Sequence, residues 1–131
     1  MALTISNPVP LLQVFDLPAS IAFYRRVLGF ELVSGDESWW AMLKLGDTRL
    51  MLNTAYEDHE RPLAPDPARV RGHADVSLYF SCPDPDAVYA QLRDRGCDVN
   101  APAITSYGLK QLSVKDPDGF ELCFTCPVES N

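Results

Sequence analysis

The stretch Asp116-Pro117-Asp118-Gly119-Phe120-Glu121-Leu122-Cys123-Phe124 decides how this chain folds. Asp-Pro and Asp-Gly are turn dipeptides, because proline restricts φ and glycine readily takes a positive φ. The residues after the turn alternate, with Leu122 and Phe124 on one face and Glu121 and Cys123 on the other. This period of two predicts a strand that lays one face on a core and keeps the other face polar.

The segment before the turn has the same alternating pattern. Leu112 and Val114 share one face of residues 109–115, while Gln111 and Ser113 share the other. The two segments therefore predict a β-hairpin that closes the chain. Packing against a core explains the apolar face of this hairpin, but it does not explain the partly polar face.

Length and composition indicate one globular domain, residues 1–131, with 47% apolar residues. Against 18 Asp and Glu there are 11 Lys and Arg, a net charge of −7 without a basic cluster. That balance argues against nucleic acid or an anionic membrane surface as a partner. No apolar run has membrane length and no signal-peptide pattern is present, so we expect a soluble cytoplasmic protein with reduced cysteines.

Upstream of the hairpin, the same element order occurs twice. The first half predicts strand 9–15, a helix from Asp16 to about Leu28, and strands 30–33, 39–45 and 48–53. The second half predicts strand 73–82, helix 83–95, a strand within 98–105 and the hairpin 109–125. Residues 54–72 are polar and rich in proline, which indicates a linker without secondary structure.

The repeat predicts an α+β fold of two βαβββ modules, about 8–54 and 73–126, joined by the linker 55–72. Each sheet would cover its apolar face with its own helix. The opposite faces would then form a curved cleft, which is the default binding-site hypothesis. The expected ligand-binding residues of this cleft are Gln13, Trp39, Trp40, Arg49, Met51, Asn53, Ser77, Tyr79, Tyr107, Gln111, Ser113, Glu121 and Cys123.

Two pairs of residues allow more than one interpretation. Trp39 and Trp40 must point to opposite faces, so one is expected in the cleft and the other in the core. Cys123 and Cys126 match a Cys-x-x-Cys pattern, but residues i and i+3 of a strand diverge, which disfavours a metal or redox pair.

The order of the motifs resembles the vicinal oxygen chelate superfamily, the glyoxalase, bleomycin-resistance and extradiol dioxygenase group. The resemblance lies in Val14-x-Asp16-x-x-x-Ser20-x-x-Phe23-Tyr24-x-x-x-Leu28-Gly29-Phe30-Glu31-Leu32 and, in the second half, Asp84-x-Asp86-x-x-Tyr89, Gly96, Tyr107-Gly108 and 116–119. It implies two βαβββ modules that form a cleft, usually in a homodimer and often with modules exchanged between subunits.

The resemblance also implies where a metal would be held. The family's metal enzymes place one His, Glu or Gln on each of four strands, and these positions correspond here to Val9, Met51, Ser77 and Cys123. Of these side chains only the cysteine has real metal affinity, so no metal ligands are assigned. The chain is therefore most similar to the bleomycin-resistance branch, which binds ligands without a metal.

Two function hypotheses follow. The first is a protein of resistance or sequestration type that binds a small molecule in a dimeric cleft, without a cofactor. The second is a metal-dependent lyase, isomerase or dioxygenase that holds a divalent ion through displaced ligands such as His73, Glu121 and Cys123. A module without any ligand is a third possibility. For His73 itself, an exposed strand start is the favoured interpretation.

Glu121 is a candidate general base, paired with Arg49. An exposed edge carboxylate or a structural ion pair is the favoured alternative, because such pairs are often only structural. Cys123 is a candidate nucleophile, but no basic residue neighbours it, and free cysteines are commonly buried as small apolar side chains.

Overall fold

The computed structural model describes residues 2–128. Its first half contains β1 (Leu11–Val14), α1 (Leu17–Ala22) with a π-helical continuation (Phe23–Val27), β2 (Glu31–Gly35), β3 (Trp40–Leu45) and β4 (Thr48–Thr54). Its second half contains α2 (Pro67–Gly72), a 3₁₀ turn (His73–Asp75), β5 (Ser77–Ser81), α3 (Pro85–Asp94), β6 (Ala103–Ile104), β7 (Leu109–Lys115) and β8 (Glu121–Pro127).

The strands form two sheets with the same topology. Their orders are β1-β4-β3-β2 and β5-β8-β7-β6. In each sheet the strand before the helix pairs in parallel with the last strand of its module, and the other pairs are antiparallel. The predicted α+β fold of two βαβββ modules is confirmed.

Both module helices begin after an aspartate that caps the first turn. The Asp16 carboxylate accepts a hydrogen bond from the Ala19 N–H at 3.1 Å, and Asp84 does the same for Ala87 at 3.2 Å. Each cap satisfies an N–H group that the first helical turn leaves free. Gly29 and Gly96 follow the helices with φ of 85° and 80°, the left-handed conformation that glycine adopts at little cost.

One core serves both modules. It contains the alternate residues of the strands, such as Leu50 and Leu52 of β4 and Leu122 of β8, together with Tyr24 after α1 and Leu92 of α3. These side chains are almost fully buried. The apolar faces of both sheets thus point inward, as the period of two predicts.

The structure differs from the prediction at the linker. Within residues 54–72, Asp66 caps α2 by accepting a hydrogen bond from Ala68 N–H at 3.0 Å, with Pro67 in the first turn. An aspartate cap followed by proline is an ordinary helix start. The high proline content of the segment led to the prediction of a linker instead. Because a 3₁₀ turn follows, the strand predicted from His73 begins only at Ser77.

Two further boundaries were wrong. The strand predicted within 98–105 is reduced to Ala103–Ile104, immediately after Pro102, which has no N–H group for a ladder. The helix predicted as far as Leu28 changes to π-helical geometry at Phe23.

The turn between β7 and β8 fastens the two modules together. Asp118 accepts hydrogen bonds from the Phe15 N–H at 2.8 Å and from the Ser20 hydroxyl at 3.3 Å. Asp116 accepts one from the Tyr24 hydroxyl at 2.8 Å. Both aspartates are buried. The Asp-Pro-Asp-Gly motif is therefore an anchor for the first helix as well as a turn.

Candidate functional site

The polar face of the second sheet carries a continuous chain of hydrogen-bonded side chains, which we call the polar network. Register places its members opposite one another, since Ser77 pairs with Glu121 and Tyr79 and Ser113 both pair with Cys123. The polar network consists of the predicted residues Ser77, Tyr79, Tyr107, Gln111, Ser113, Glu121 and Cys123.

Its outer end is aromatic. The hydroxyl groups of Tyr79 and Tyr107 lie 3.3 Å apart, and Tyr107 donates to Gln111 Oε1 at 3.1 Å. Both tyrosines are more than half exposed, at 53% and 61%. The hydrogen bond with Tyr107 raises the pKa of Tyr79 to about 12, so the Tyr79 hydroxyl is neutral at physiological pH.

The inner end of the polar network consists of a thiol and a carboxylate. Gln111 Nε2 donates to Ser113 Oγ at 3.2 Å, and the Cys123 thiol donates to Glu121 Oε1 at 3.2 Å. Ser77 Oγ also donates to this carboxylate, at 3.3 Å. Glu121 is therefore held as an acceptor within the polar network.

Cys123 does not have the environment of a nucleophile. Its side chain is fully buried, and burial raises the pKa of the thiol, with the neighbouring Glu121 adding to the shift. A reactive thiol needs the opposite surroundings, a cation or a base that stabilises the thiolate. Cys123 thus acts as a donor to Glu121.

The predicted pairing of Glu121 with Arg49 is wrong. Among residues 2–128, no ion pair joins them. The strand partners of Glu121 are Ser77 and Lys115, while Arg49 lies opposite Lys44 in the other sheet.

The outward face of the first sheet, which we call the mixed face, is more apolar. Gln13 pairs with Asn53, which pairs in turn with Trp40, and Met51 lies next along β4. Sequence analysis missed Met42 and Lys44, which share this face with Trp40. The alternation of β3 could have found them, because Ala41 and Leu43 between them are completely buried. The mixed face comprises Leu11, Gln13, Trp40, Met42, Lys44, Arg49, Met51 and Asn53.

The structure distinguishes the two tryptophans. Trp40 begins β3 and is half-buried on the mixed face. Trp39 precedes the strand and is 64% exposed, beside the loop of residues 54–60. The expectation that one of them lies in the core was wrong, because β3 starts at Trp40 and leaves its neighbour outside the sheet.

Among residues 2–128, one buried side-chain polar atom has no hydrogen-bond partner, and this orphaned atom is the Oδ1 oxygen of Asn53. Buried amide oxygens are nearly always paired, since an unpaired one costs free energy. The Asn53 oxygen therefore lacks the hydrogen-bond donor that its burial calls for.

The two faces approach each other at one place. An open groove of about 630 Å³ lies between Arg49 at the start of β4 and Tyr79 in β5, with Pro8 and Pro10 at its side. Arg49 of the mixed face and Tyr79 of the polar network both line this groove. The other residues of the mixed face and of the polar network do not line the groove, and the two surfaces lie on separate sheets.

The positions that correspond to the family's metal ligands do not fit a divalent ion. Val9 and Met51 offer no hard donor, Ser77 binds Glu121, and the thiol of Cys123 is buried. In residues 2–128, no three His, Cys, Asp or Glu side chains converge as a metal site would require.

The prediction that His73 is an exposed strand start is wrong. His73 is half-buried in the 3₁₀ turn, and its ring stacks on Phe120 with centroids 3.9 Å apart. Its Nδ1 lies 2.7 Å from the Asp118 carbonyl oxygen. His73 thus supports the β7–β8 turn and does not point along β5 toward Ser77.

No helix within residues 2–128 has the length and apolar character to cross a bilayer.

The chain matches known proteins in sequence pattern and in structure. The model of the family described as Glyoxalase/Bleomycin resistance protein/Dioxygenase superfamily matches residues 7–124. No curated protein sequence matches the chain.

Similar solved structures include binding proteins and an enzyme. TnmS3, an antibiotic-binding protein from Streptomyces sp. CB03234, is 27% identical with a TM-score of 0.70, over 96% of this chain and 99% of its own. A bleomycin-binding protein complexed with bleomycin is 25% identical with a TM-score of 0.69, over 96% and 100%. A lactoylglutathione lyase from Agrobacterium tumefaciens shares the fold at 21% identity, with a TM-score of 0.65 over 93% and 94%. Since the family model spans nearly the whole chain, this protein belongs to the Glyoxalase/Bleomycin resistance protein/Dioxygenase superfamily.

Proposed function

We propose that this protein binds a small organic molecule, without a metal or other cofactor, between the polar network and the mixed face. The polar network carries the proposal. It presents hydroxyl, amide and carboxylate groups on rigid strands, held in place by one another. A preorganised polar surface of this kind recognises a ligand at little cost in ordering.

The mixed face supplies the complementary chemistry. Trp40, Met42 and Met51 offer flat and adaptable apolar surface, and the orphaned Asn53 Oδ1 is an acceptor for a ligand donor. Ligand sites commonly combine such a surface with a few polar groups. A planar aromatic compound with hydrogen-bonding substituents matches both faces.

Two similar proteins support the ligand class. The antibiotic-binding TnmS3 and the bleomycin-binding protein are 27% and 25% identical to this chain. We infer that this protein likewise sequesters an antibiotic or a related compound, in the cytoplasm.

Metal independence is part of the proposal and rests on the donor set. The side chains at the family's ligand positions are Val9, Met51, Ser77 and Cys123, and they do not suit a hard divalent ion. The alternative, a metal-dependent lyase, isomerase or dioxygenase, would need His73 to leave its contacts with Asp118 and Phe120.

We propose further that the cleft is completed in a homodimer, with the mixed face of one subunit opposite the polar network of its partner. Exchange of modules between the two subunits is one way to form this homodimer. Support comes from exposure: Leu11, Tyr79 and Tyr107 keep 47%, 53% and 61% of their surface accessible. Aromatic and apolar side chains so exposed are typical of surfaces that bind ligands or partners.

A ligand screen on untagged protein tests the binding. Bleomycin and planar aromatic compounds are screened by thermal shift, and we expect a dose-dependent rise in melting temperature. The affinity of a hit is then measured by calorimetry for the wild type, Tyr79→Phe and Asn53→Ala. Each variant should bind about tenfold more weakly, the effect of one lost hydrogen bond.

Tyr89→Phe is the matched control, since Tyr89 lies on α3 and contacts Arg93. Its affinity should equal that of the wild type. A screen in which no compound stabilises the protein contradicts the proposal, as do variants that bind as tightly as the wild type. Elemental analysis with stoichiometric Ni, Zn, Mn or Fe overturns metal independence, and a monomer in sedimentation overturns the dimeric cleft.

A further inference from the structure

Cys82 and Cys126 are brought side by side by the pairing of β5 with β8. The parallel ladder joins Ser81 to Thr125, and the next residue of each strand is a cysteine. The Cys82 N–H continues the ladder by donating to the Thr125 carbonyl at 2.9 Å. The register thus sets the two cysteines directly opposite each other, although 43 residues lie between them in the sequence.

Their side chains lie on the same face of the sheet. Leu78 and Phe80 precede Cys82 on the core face of β5, and Leu122 and Phe124 precede Cys126 on the core face of β8. The proximity has an electrostatic signature as well: burial raises the pKa of the Cys82 thiol, and a charge on Cys126 raises it further.

The spacing fits a covalent bond. Adjacent strands lie about 4.8 Å apart, and disulfides join Cα atoms about 4.4–6.8 Å apart. Both thiols are free and half-buried, so a small reagent can reach them. Cys82 is the residue immediately after β5, where the chain can adjust its backbone to the geometry of the bond.

We propose that Cys82 and Cys126 are a modification site, a dithiol that closes reversibly to a disulfide when it meets a low-molecular-weight disulfide. The Cys126 thiolate attacks the oxidant and forms a mixed disulfide, releasing one small thiol. The second thiolate displaces the other small thiol. The protein loses two hydrogens in total, and one small disulfide is reduced to two thiols.

The bond would enclose most of the second module. The chain between the two cysteines includes α3, β6, β7 and most of β8. Cross-linking its ends restricts the unfolded chain, so the oxidised protein is expected to melt several degrees higher. The bond would also tie together the two strands that carry Tyr79 and Cys123 of the polar network.

The test oxidises the reduced full-length protein with oxidised glutathione under native conditions. Intact mass should fall by two hydrogens, and a reductant should restore it. After trypsin digestion without reductant, the peptide with Cys82 should be joined to the C-terminal peptide with Cys126. Because that peptide also contains Cys123, single variants identify the partner.

Cys126→Ser and Cys82→Ser should abolish the two-hydrogen loss, while Cys123→Ser should keep it. Cys97→Ser is the matched control, because Cys97 is also half-buried and free, and it should behave as the wild type. A stable glutathione adduct without the internal bond overturns the proposal, and so does a bond that persists in Cys126→Ser. If a variant fails to fold, fragmentation of the cross-linked wild-type peptides by mass spectrometry distinguishes Cys126 from Cys123 as the partner of Cys82.

Discussion

The Asp116 carboxylate accepts hydrogen bonds from the Tyr24 hydroxyl and from the backbone N–H groups of Asp118 and Phe120. Its replacement by alanine leaves these buried donors without an acceptor. Because each unsatisfied buried group costs about 1–3 kcal/mol, we expect Asp116→Ala to lose about 2–4 kcal/mol of unfolding free energy in urea denaturation. Asp116→Asn keeps an acceptor oxygen and should lose less. Equal losses would contradict this role.

The raised pKa of Asp116 predicts that the stability of the protein depends on pH. Burial raises the pKa of Asp116 above its ordinary value of 3.8, although the hydrogen bond from Tyr24 opposes the shift. A raised carboxyl pKa means that folding favours the protonated form, so its contribution to stability declines as the pH rises through the folded-state pKa. The wild type should therefore lose stability relative to Asp116→Asn as the pH rises from 3.8 toward neutrality.

Urea denaturation of both proteins across that range measures the difference. The neighbouring titratable groups, Tyr24 and Asp118, are common to both proteins. A difference that is constant with pH, or that grows in favour of the wild type, would contradict the raised pKa.

At the scale of elements, Gly35 determines how β2 leads into β3. It has a φ of 81°, and a Cβ there would overlap the Trp40 backbone oxygen. Since a positive φ costs about 1–2 kcal/mol for a residue other than glycine, and overlap adds to it, we expect Gly35→Ala to cost about 2–4 kcal/mol in chemical denaturation.

Gly46 in the β3–β4 turn is the matched control for this hairpin. Its φ is also positive, at 57°, but a Cβ would meet nothing within 4 Å. Gly46→Ala should therefore lose only about 1–2 kcal/mol. If the two variants lose the same stability, close approach to Trp40 does not contribute.

At the scale of the molecule, the modules should unfold together. They share one core, and the β7–β8 turn binds residues of the first helix through Asp116 and Asp118. Arg95 adds a contact by donating to the Val27 carbonyl at 2.6 Å. Such extensive coupling favours a single cooperative transition.

The tryptophans make this measurable, because both are in the first module. Tryptophan fluorescence then follows that module, and far-ultraviolet circular dichroism follows both. We expect the two urea transitions to coincide in the wild type. Separate midpoints would show that the modules unfold independently.

Sequence alone determined the element order and the two faces of most strands. Alternation along β7 and β8 is a local property, because successive side chains of a strand point to opposite sides. It therefore identified Gln111, Ser113 and Glu121 as polar-face residues before any pairing was known. The helix start at Asp16 is a local feature as well, and it was predicted for the same reason.

Only the tertiary structure decided which distant residues meet. Asp116 and Asp118 looked like turn residues, and their partners Tyr24 and Phe15 are about a hundred positions away, with separations of 92 and 103. The neighbours of Glu121 and Cys126 were likewise unknown, because they depend on strand register. Register results from the packing of both sheets on one core, which no local pattern encodes.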